Sequence, residues 1–236
     1  MSAMSKNRGA KRPFVFVNMA MTADGKIATA NRAVHSFGSA GDLRHLYELR
    51  ATADAVMCGA RTVEISASIL GNGGEQFRRR RLKNGRAEFN LRIIVSGGGS
   101  IDPVAKIFRH RFSPIIVLTT ERATKAKLKA LRKLADEVKI CGRTEINFSA
   151  ALRWLGANWG VKQLLCEGGG ELNDALFRAG LVDEINLTIC PKIFGGRTAP
   201  TIADGQGLEK LALTRKFKFV TARAIKGELF TVLSRA

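Results

Sequence analysis

Three apolar runs of strand length end in glycine: Ala55 to Gly59, Leu91 to Val95 before Ser96 to Ser100, and Val161 to Glu167 before Gly168, Gly169 and Gly170. The third is the sharpest, because Leu172, Leu176 and Phe177 follow at helical spacing, so strand, glycine loop and helix N-terminus come in direct succession. Glycines there can take positive φ and present bare N–H groups, and the start of a helix favours an anion. These residues alone leave two readings open, an anion site and a plain tight turn. Ala60-Arg61-Thr62-Val63 leaves the first run in the same way, with Thr62 either a site residue or an ordinary capping residue.

Around these units the chain alternates strand and helix. Strands are predicted over Phe14 to Met19, Ala55 to Gly59, Leu91 to Val95, Pro114 to Leu118, Asp136 to Cys141, Val161 to Glu167 and Val182 to Ile189. Helices are predicted after Ser39 or Asp42, over Lys125 to Ala135 and over Phe148 to Trp154 with Asn147 as cap. Lys216 to Val220 and Glu228 to Leu233 close the chain as an antiparallel pair. The order predicts an α/β fold: a mostly parallel sheet with helices on both faces and an antiparallel C-terminal edge. The glycine loops then gather along one edge, where open sheets bind ligands. Gly71 to Asn90, with Arg78 to Arg81 and few apolar residues, is expected as a surface loop, either a binding flap or a solvated face. Residues 1–11 are expected as a flexible basic tail and 12–236 as a single domain.

Composition narrows the function classes. With 45% hydrophobic and 25% charged residues the chain is globular, and no apolar run reaches the length of a membrane span. Cys58, Cys141, Cys166 and Cys190 stand singly, and His35, His45 and His110 lie apart from any cysteine pair, so no metal site is expected. The cysteines are read as reduced core residues of a cytoplasmic protein. The net charge of +19 comes from scattered runs with few aromatic residues between them, so nucleic acid is not expected as the main partner. Thr22, Asp24 and Lys26 follow the first strand either as site residues or as a turn with a solvated lysine.

Several ordered motifs together carry a resemblance over residues 12–236. They are Val17-Asn-Met-Ala-Met-Thr-Ala-Asp-Gly-Lys-Ile-Ala28, Leu49-Arg-Ala-Thr-Ala-Asp-Ala-Val56 with Gly59 and Thr62, Cys166-Glu-Gly-Gly-Gly-Glu-Leu172, Gly180-Leu-Val-Asp-Glu184 and Pro191-Lys-Ile-Phe-Gly-Gly196. In these the chain resembles the riboflavin-pathway pyrimidine reductases, as a stand-alone reductase of dihydrofolate-reductase-like fold. The resemblance implies NADPH as cofactor, a small sugar-phosphate substrate, hydride transfer to ribose C1′ of a ribosylaminopyrimidine 5′-phosphate, and a homodimer. It implies Glu167, Asp24 and Lys26 as catalytic residues. Cofactor contacts are implied for Thr22, Gly59, Arg61, Thr62, Ser96, Gly97, Gly168, Gly169, Gly170, Glu171 and Leu172. Arg50 and Leu70, with Glu167, are implied at the substrate, Arg50 as a bidentate grip on an anion.

One segment departs from the family pattern. Where relatives follow the threonine with an acidic turn and later an arginine for the sugar phosphate, this chain has Ser66 and Gly73, retaining Leu70 between them. That change permits an alternative, a reductase of the same fold acting on another substrate. A third reading, a non-catalytic basic binding protein, gives no reason for Asp24, Lys26, Thr62 and Glu167 to stand together.

Overall fold

The computed structural model describes residues 11–33 and 37–236. The expected basic tail lies, up to residue 10, outside the described residues, as does His35. The strands are β1 (Phe14–Thr22), β2 (Ala55–Gly59), β3 (Leu91–Val95), β4 (Ile115–Thr119), β5 (Glu137–Ile140), β6 (Gln163–Cys166), β7 (Glu184–Cys190), β8 (Phe217–Ile225) and β9 (Glu228–Arg235). The helices are α1 (Ala40–Thr52), α2 (Ala60–Ser66), α3 (Glu75–Lys83), α4 (Lys106–Arg109), α5 (Lys125–Leu134), α6 (Phe148–Trp159) and α7 (Gly170–Arg178). All nine strands join one sheet in the order β5-β4-β3-β2-β6-β1-β7-β9-β8. The first seven run parallel, while β9 is antiparallel to β7 and β8 to β9.

Alternation along the strands sorts side chains into two cores. Val15, Val17, Met57, Ile93, Leu164 and Cys166 face α6 and α7, which contribute Leu152, Leu155, Leu172 and Leu176. Phe16, Val56, Cys58, Ile94, Val117 and Leu165 face the other side, where α2, α4 and α5 add Val63, Ile107, Phe108 and Leu131. Burial holds the Cys58 thiol well above its usual pKa and pushes Cys166 up to about 12, so both behave as core residues.

Aspartates pin the amino-terminal edge of the sheet. Asp183 accepts from Val15 N–H, Asp136 from Ile115 N–H, and Asp54 from the N–H groups of Lys162 and Gln163. Each also holds an arginine, Arg12, Arg111 and Arg86 respectively. The anions of this edge are thereby occupied.

The expected surface loop at 71–90 contains a helix instead. In α3, Arg78 and Arg79 pair with Glu75 at helical spacing, and Phe77 lies 5.5 Å from the Tyr47 ring. Arg81 is 1% exposed and donates to the Arg50 and Ala53 carbonyls at the end of α1 and to Ala87 O. Burial, with a smaller push from Arg86, lowers its pKa to about 10. Its role is to cap α1, a contact that no local pattern announces.

Candidate active site

Strands β2 and β6 are neighbours, yet the helix after β2 packs on one face of the sheet and the helix after β6 on the other. The two exits diverge and leave a crevice at the carboxyl edge. Gly59 N–H donates to Gly168 O at 2.8 Å and Gly169 N–H to Thr62 Oγ1 at 2.9 Å, which stitches the two exits together. The cleft above them has a volume of about 740 Å³.

Alternation decides where Glu167 points. Cys166 lies in the core under α7, so Glu167 turns toward α1 and meets Arg50. Arg50 Nε donates to Oε1 and Nη2 to Oε2, both at 2.6 Å, and Nη1 donates to Gly71 O at 2.6 Å. The two side chains are 7% and 11% exposed. Burial lowers the Arg50 pKa and the facing carboxylate overrides that, so the guanidinium ends above its usual value. The fork expected to grip a substrate anion is closed on Glu167, and Glu167 alone of the pair lines the cleft.

The glycine loop turns at Gly168, with φ of 79°, and its Gly168–Gly169 peptide is cis. Gly170 is required by close approach: a Cβ there would lie 2.5 Å from Thr201 O and 2.7 Å from Asp204 Cβ. No side chain caps α7, so the first-turn N–H groups of Gly170, Glu171 and Leu172 have no intrahelical acceptor, and all three residues line the cleft. That donor set fits a pyrophosphate. Gly59, Arg61, Thr62, Ser96 and Gly97 line the same cleft. Arg61 is exposed, its nearest acid being Glu171 at 3.4 Å.

The remaining predicted residues lie elsewhere. Asp24 accepts from Thr22 Oγ1 at 2.5 Å and from the N–H groups of Phe194 and Gly195 at 3.2 and 2.7 Å. The Thr22 hydroxyl and those two amides hold its carboxyl below the usual range. Lys26 Nζ donates to Ala199 O at 3.2 Å, and Thr22 is fully buried. This trio ties the β1 exit to the loop after β7, and none of the three lines the cleft. Leu70 is 1% exposed, packed in the α1-side core rather than at a ligand surface. Ser66 Oγ donates to Thr62 O at 2.6 Å, and Gly73 lies against the Tyr47 ring.

Among the described residues no cluster of histidine, cysteine and acidic side chains could hold a metal, and no helix is long and apolar enough to cross a membrane. Sequence reasoning missed Asn18, on β1, whose Oδ1 is buried without a partner among the described residues. The signal for Asn18 was an amide inside an otherwise apolar run. Arg32, Arg122 and Arg178 also line the cleft, and only the fold brings them there.

The family model described as the RibD C-terminal domain matches residues 13–230. The chain is 34% identical over 224 residues to a 2,5-diamino-6-ribosylamino-4(3H)-pyrimidinone 5′-phosphate reductase of Archaeoglobus fulgidus, covering 95% of this chain and 98% of that protein. It is also 34% identical over 201 residues to a protein of the same name from Methanothermobacter thermautotrophicus, covering 85% and 88%. Among solved structures, a pyrimidine reductase-like protein of Corynebacterium diphtheriae superposes with a TM-score of 0.79 at 21% identity, covering 95% of this chain and 92% of the other.

Proposed function

This chain belongs to the RibD C-terminal domain family, and from that premise we propose that it reduces 2,5-diamino-6-ribosylamino-4(3H)-pyrimidinone 5′-phosphate with NADPH in riboflavin biosynthesis. The observation that carries the reading is the buried Arg50–Glu167 pair facing the uncapped start of α7 across one cleft. When bound, NADPH would supply a hydride for ribose C1′. The amides of Gly170, Glu171 and Leu172 would hold its pyrophosphate, and Gly59, Thr62 and Gly169 would form the floor of its site. Glu167 presents the carboxylate lone pairs that Arg50 leaves open, orienting the ribose and taking up or returning a proton during ring opening. Arg50 acts through Glu167, fixing its rotamer and its charge. Thr22, Asp24 and Lys26 hold the wall of the site by fastening the 194–201 loop.

The test is NADPH oxidation by the purified protein with the diamino substrate and, in parallel, its deaminated 5-amino counterpart. Turnover with the diamino compound is expected. Tight NADPH binding without turnover on either compound would favour another substrate on the same fold, as the buried Leu70 and the Gly73 contact with Tyr47 allow.

Arg61 is assigned to the cofactor 2′-phosphate, since it is exposed at the cleft rim and its surface pair with Glu171 costs little to exchange. Arg61→Ala is expected to raise KM for NADPH by about 10-fold, the scale of one charge-assisted hydrogen bond, and to leave KM for NADH unchanged. Equal rises would move the assignment to Arg122.

A homodimer through β8 completes the reading. This nine-residue strand ends the sheet with one neighbour, and Phe219 and Val220 stand 70% and 57% exposed on it. Such an edge calls for a cover, and a second copy of the same strand provides one. Phe219→Glu with Val220→Glu is expected to convert the dimer to monomers in sedimentation equilibrium. A dimer that survives both changes places the interface elsewhere. The buried, unpaired cysteines are in keeping with a cytoplasmic enzyme.

A further inference from the structure

The chain carries a net charge of +19, and its proposed ligands are anionic, yet the cleft is not where the charge lies. Four arginines line it against five carboxylates. Much of the excess sits on α3, α4 and α5, which together bear twelve cationic side chains, the buried Arg81 among them, and one acidic one.

In sequence these cations are far apart, and the fold brings them together. Ile107, Phe108 and Leu131 anchor α4 and α5 in the same core, and α3 packs beside it against the end of α1. Phe89 after α3 stacks on Phe112 after α4 at 4.8 Å, and Arg111 donates to Leu134 O at the end of α5. The C-terminal ends of α3, α4 and α5 therefore come together at the starts of β3, β4 and β5. Arg80, Lys83, Arg109, Lys129, Arg132 and Lys133 are exposed there with no acidic partner among the described residues. The acids nearby are already engaged: Glu75 and Glu88 by Arg78, and Asp136 by Arg111 and the Ile115 amide. Those helix ends lie at the amino-terminal edge of the sheet, opposite the cleft. Cations placed there are separated from the ligand site by the length of a five-residue strand, about 16 Å, beyond the screening length of about 8 Å at physiological salt.

We propose that the α3–α4–α5 face is a docking surface for the phosphate backbone of a nucleic acid duplex. A dense row of guanidinium and ammonium groups with no competing acid matches closely spaced phosphates. The large exposed aromatic side chains, Phe14 and Phe219, lie outside these helices, so the face cannot stack unpaired bases and reads backbone charge alone. Binding is accordingly independent of base sequence and falls steeply with salt. An anionic bilayer would ask in addition for apolar side chains to insert, and exposed Leu82 is the large one that the three helices offer.

The test is fluorescence anisotropy of the full-length protein with a labelled RNA or DNA duplex across a salt series, with vesicles containing anionic lipid as a second titrant. Arg80→Glu, Arg109→Glu, Lys129→Glu and Arg132→Glu combined are expected to weaken duplex binding at least about 10-fold and to reduce the salt slope by about 1 for each phosphate no longer neutralised. A control protein with Arg143→Glu, Arg153→Glu, Lys162→Glu and Arg197→Glu carries the same net charge away from this face and is expected to bind nearly as the parent does. Reductase turnover in both, or NADPH binding if no substrate turns over, reports intact folding independently of the docking result. Equal loss in the two variants, no parental binding at physiological salt, or tighter binding to vesicles than to duplex would each overturn the proposal.

Discussion

Glu167→Gln is expected to lower kcat by about 10²-fold or more, the range of a lost general acid–base group, with NADPH affinity little changed. The substitution keeps the shape of the side chain and removes its charge, so Arg50 is left buried with no counter-ion. Breaking a buried pair from one side costs about 3–5 kcal/mol, so a fall in Tm should accompany the loss of turnover. Arg50→Lys separates stability from catalysis. It keeps the positive charge but cannot donate to both carboxylate oxygens and to Gly71 O at once. If Arg50 acts through Glu167, the lysine variant lowers kcat and leaves KM for the pyrimidine nearly unchanged. A large rise in that KM with kcat intact would instead put Arg50 on the substrate phosphate. Unchanged kcat in Glu167→Gln would reduce the carboxylate to a structural acid.

The second large effect is expected from Gly73→Arg, which restores an arginine where relatives are expected to carry one. Gly73 has φ of 84° and lies flush against the Tyr47 ring, so a Cβ there would overlap the ring near its attachment point. Overpacking costs about 1–3 kcal/mol, and the left-handed backbone adds about 1–2 kcal/mol for a non-glycine residue. The variant should melt well below the parent and gain no substrate affinity, because the loop that carries position 73 also accepts from Arg50 through Gly71 O. Full stability with tighter substrate binding would mean that Tyr47 moves aside and that the missing anchor can be rebuilt.

Legibility in the sequence followed the range of the forces involved. The Ser39, Thr124 and Asn147 caps are settled within one turn; Asn147 was readable from residue type and position, and Ser39 was one of two readings beside Asp42. The helical stretch Glu75–Lys83 was not readable, since its hydrophobic pattern is weak and its support comes from Tyr47, Glu88 and the end of α1. Asp24 and Lys26 drew attention by motif, but whether their polar atoms face a ligand or a neighbouring loop depends on residues 194–201, far along the chain. Leu70 resisted for the same reason, because the short apolar pair Ile69-Leu70 carries no periodicity that shows which core it enters.

The sequence by itself determined the alternation of strands and helices, the parallel sheet with its antiparallel C-terminal edge, and the glycine turn from β6 into α7. Each rests on periodicity or on backbone freedom expressed over a few residues. Tertiary structure decided the rest. It closed the Arg50 fork on Glu167, turned the four-arginine run into a cap and a surface, and brought the cationic ends of α3, α4 and α5 together. Those outcomes depend on which distant groups become neighbours, and the energy of a charge or hydrogen bond is fixed by its neighbours and its burial rather than by its place in the chain.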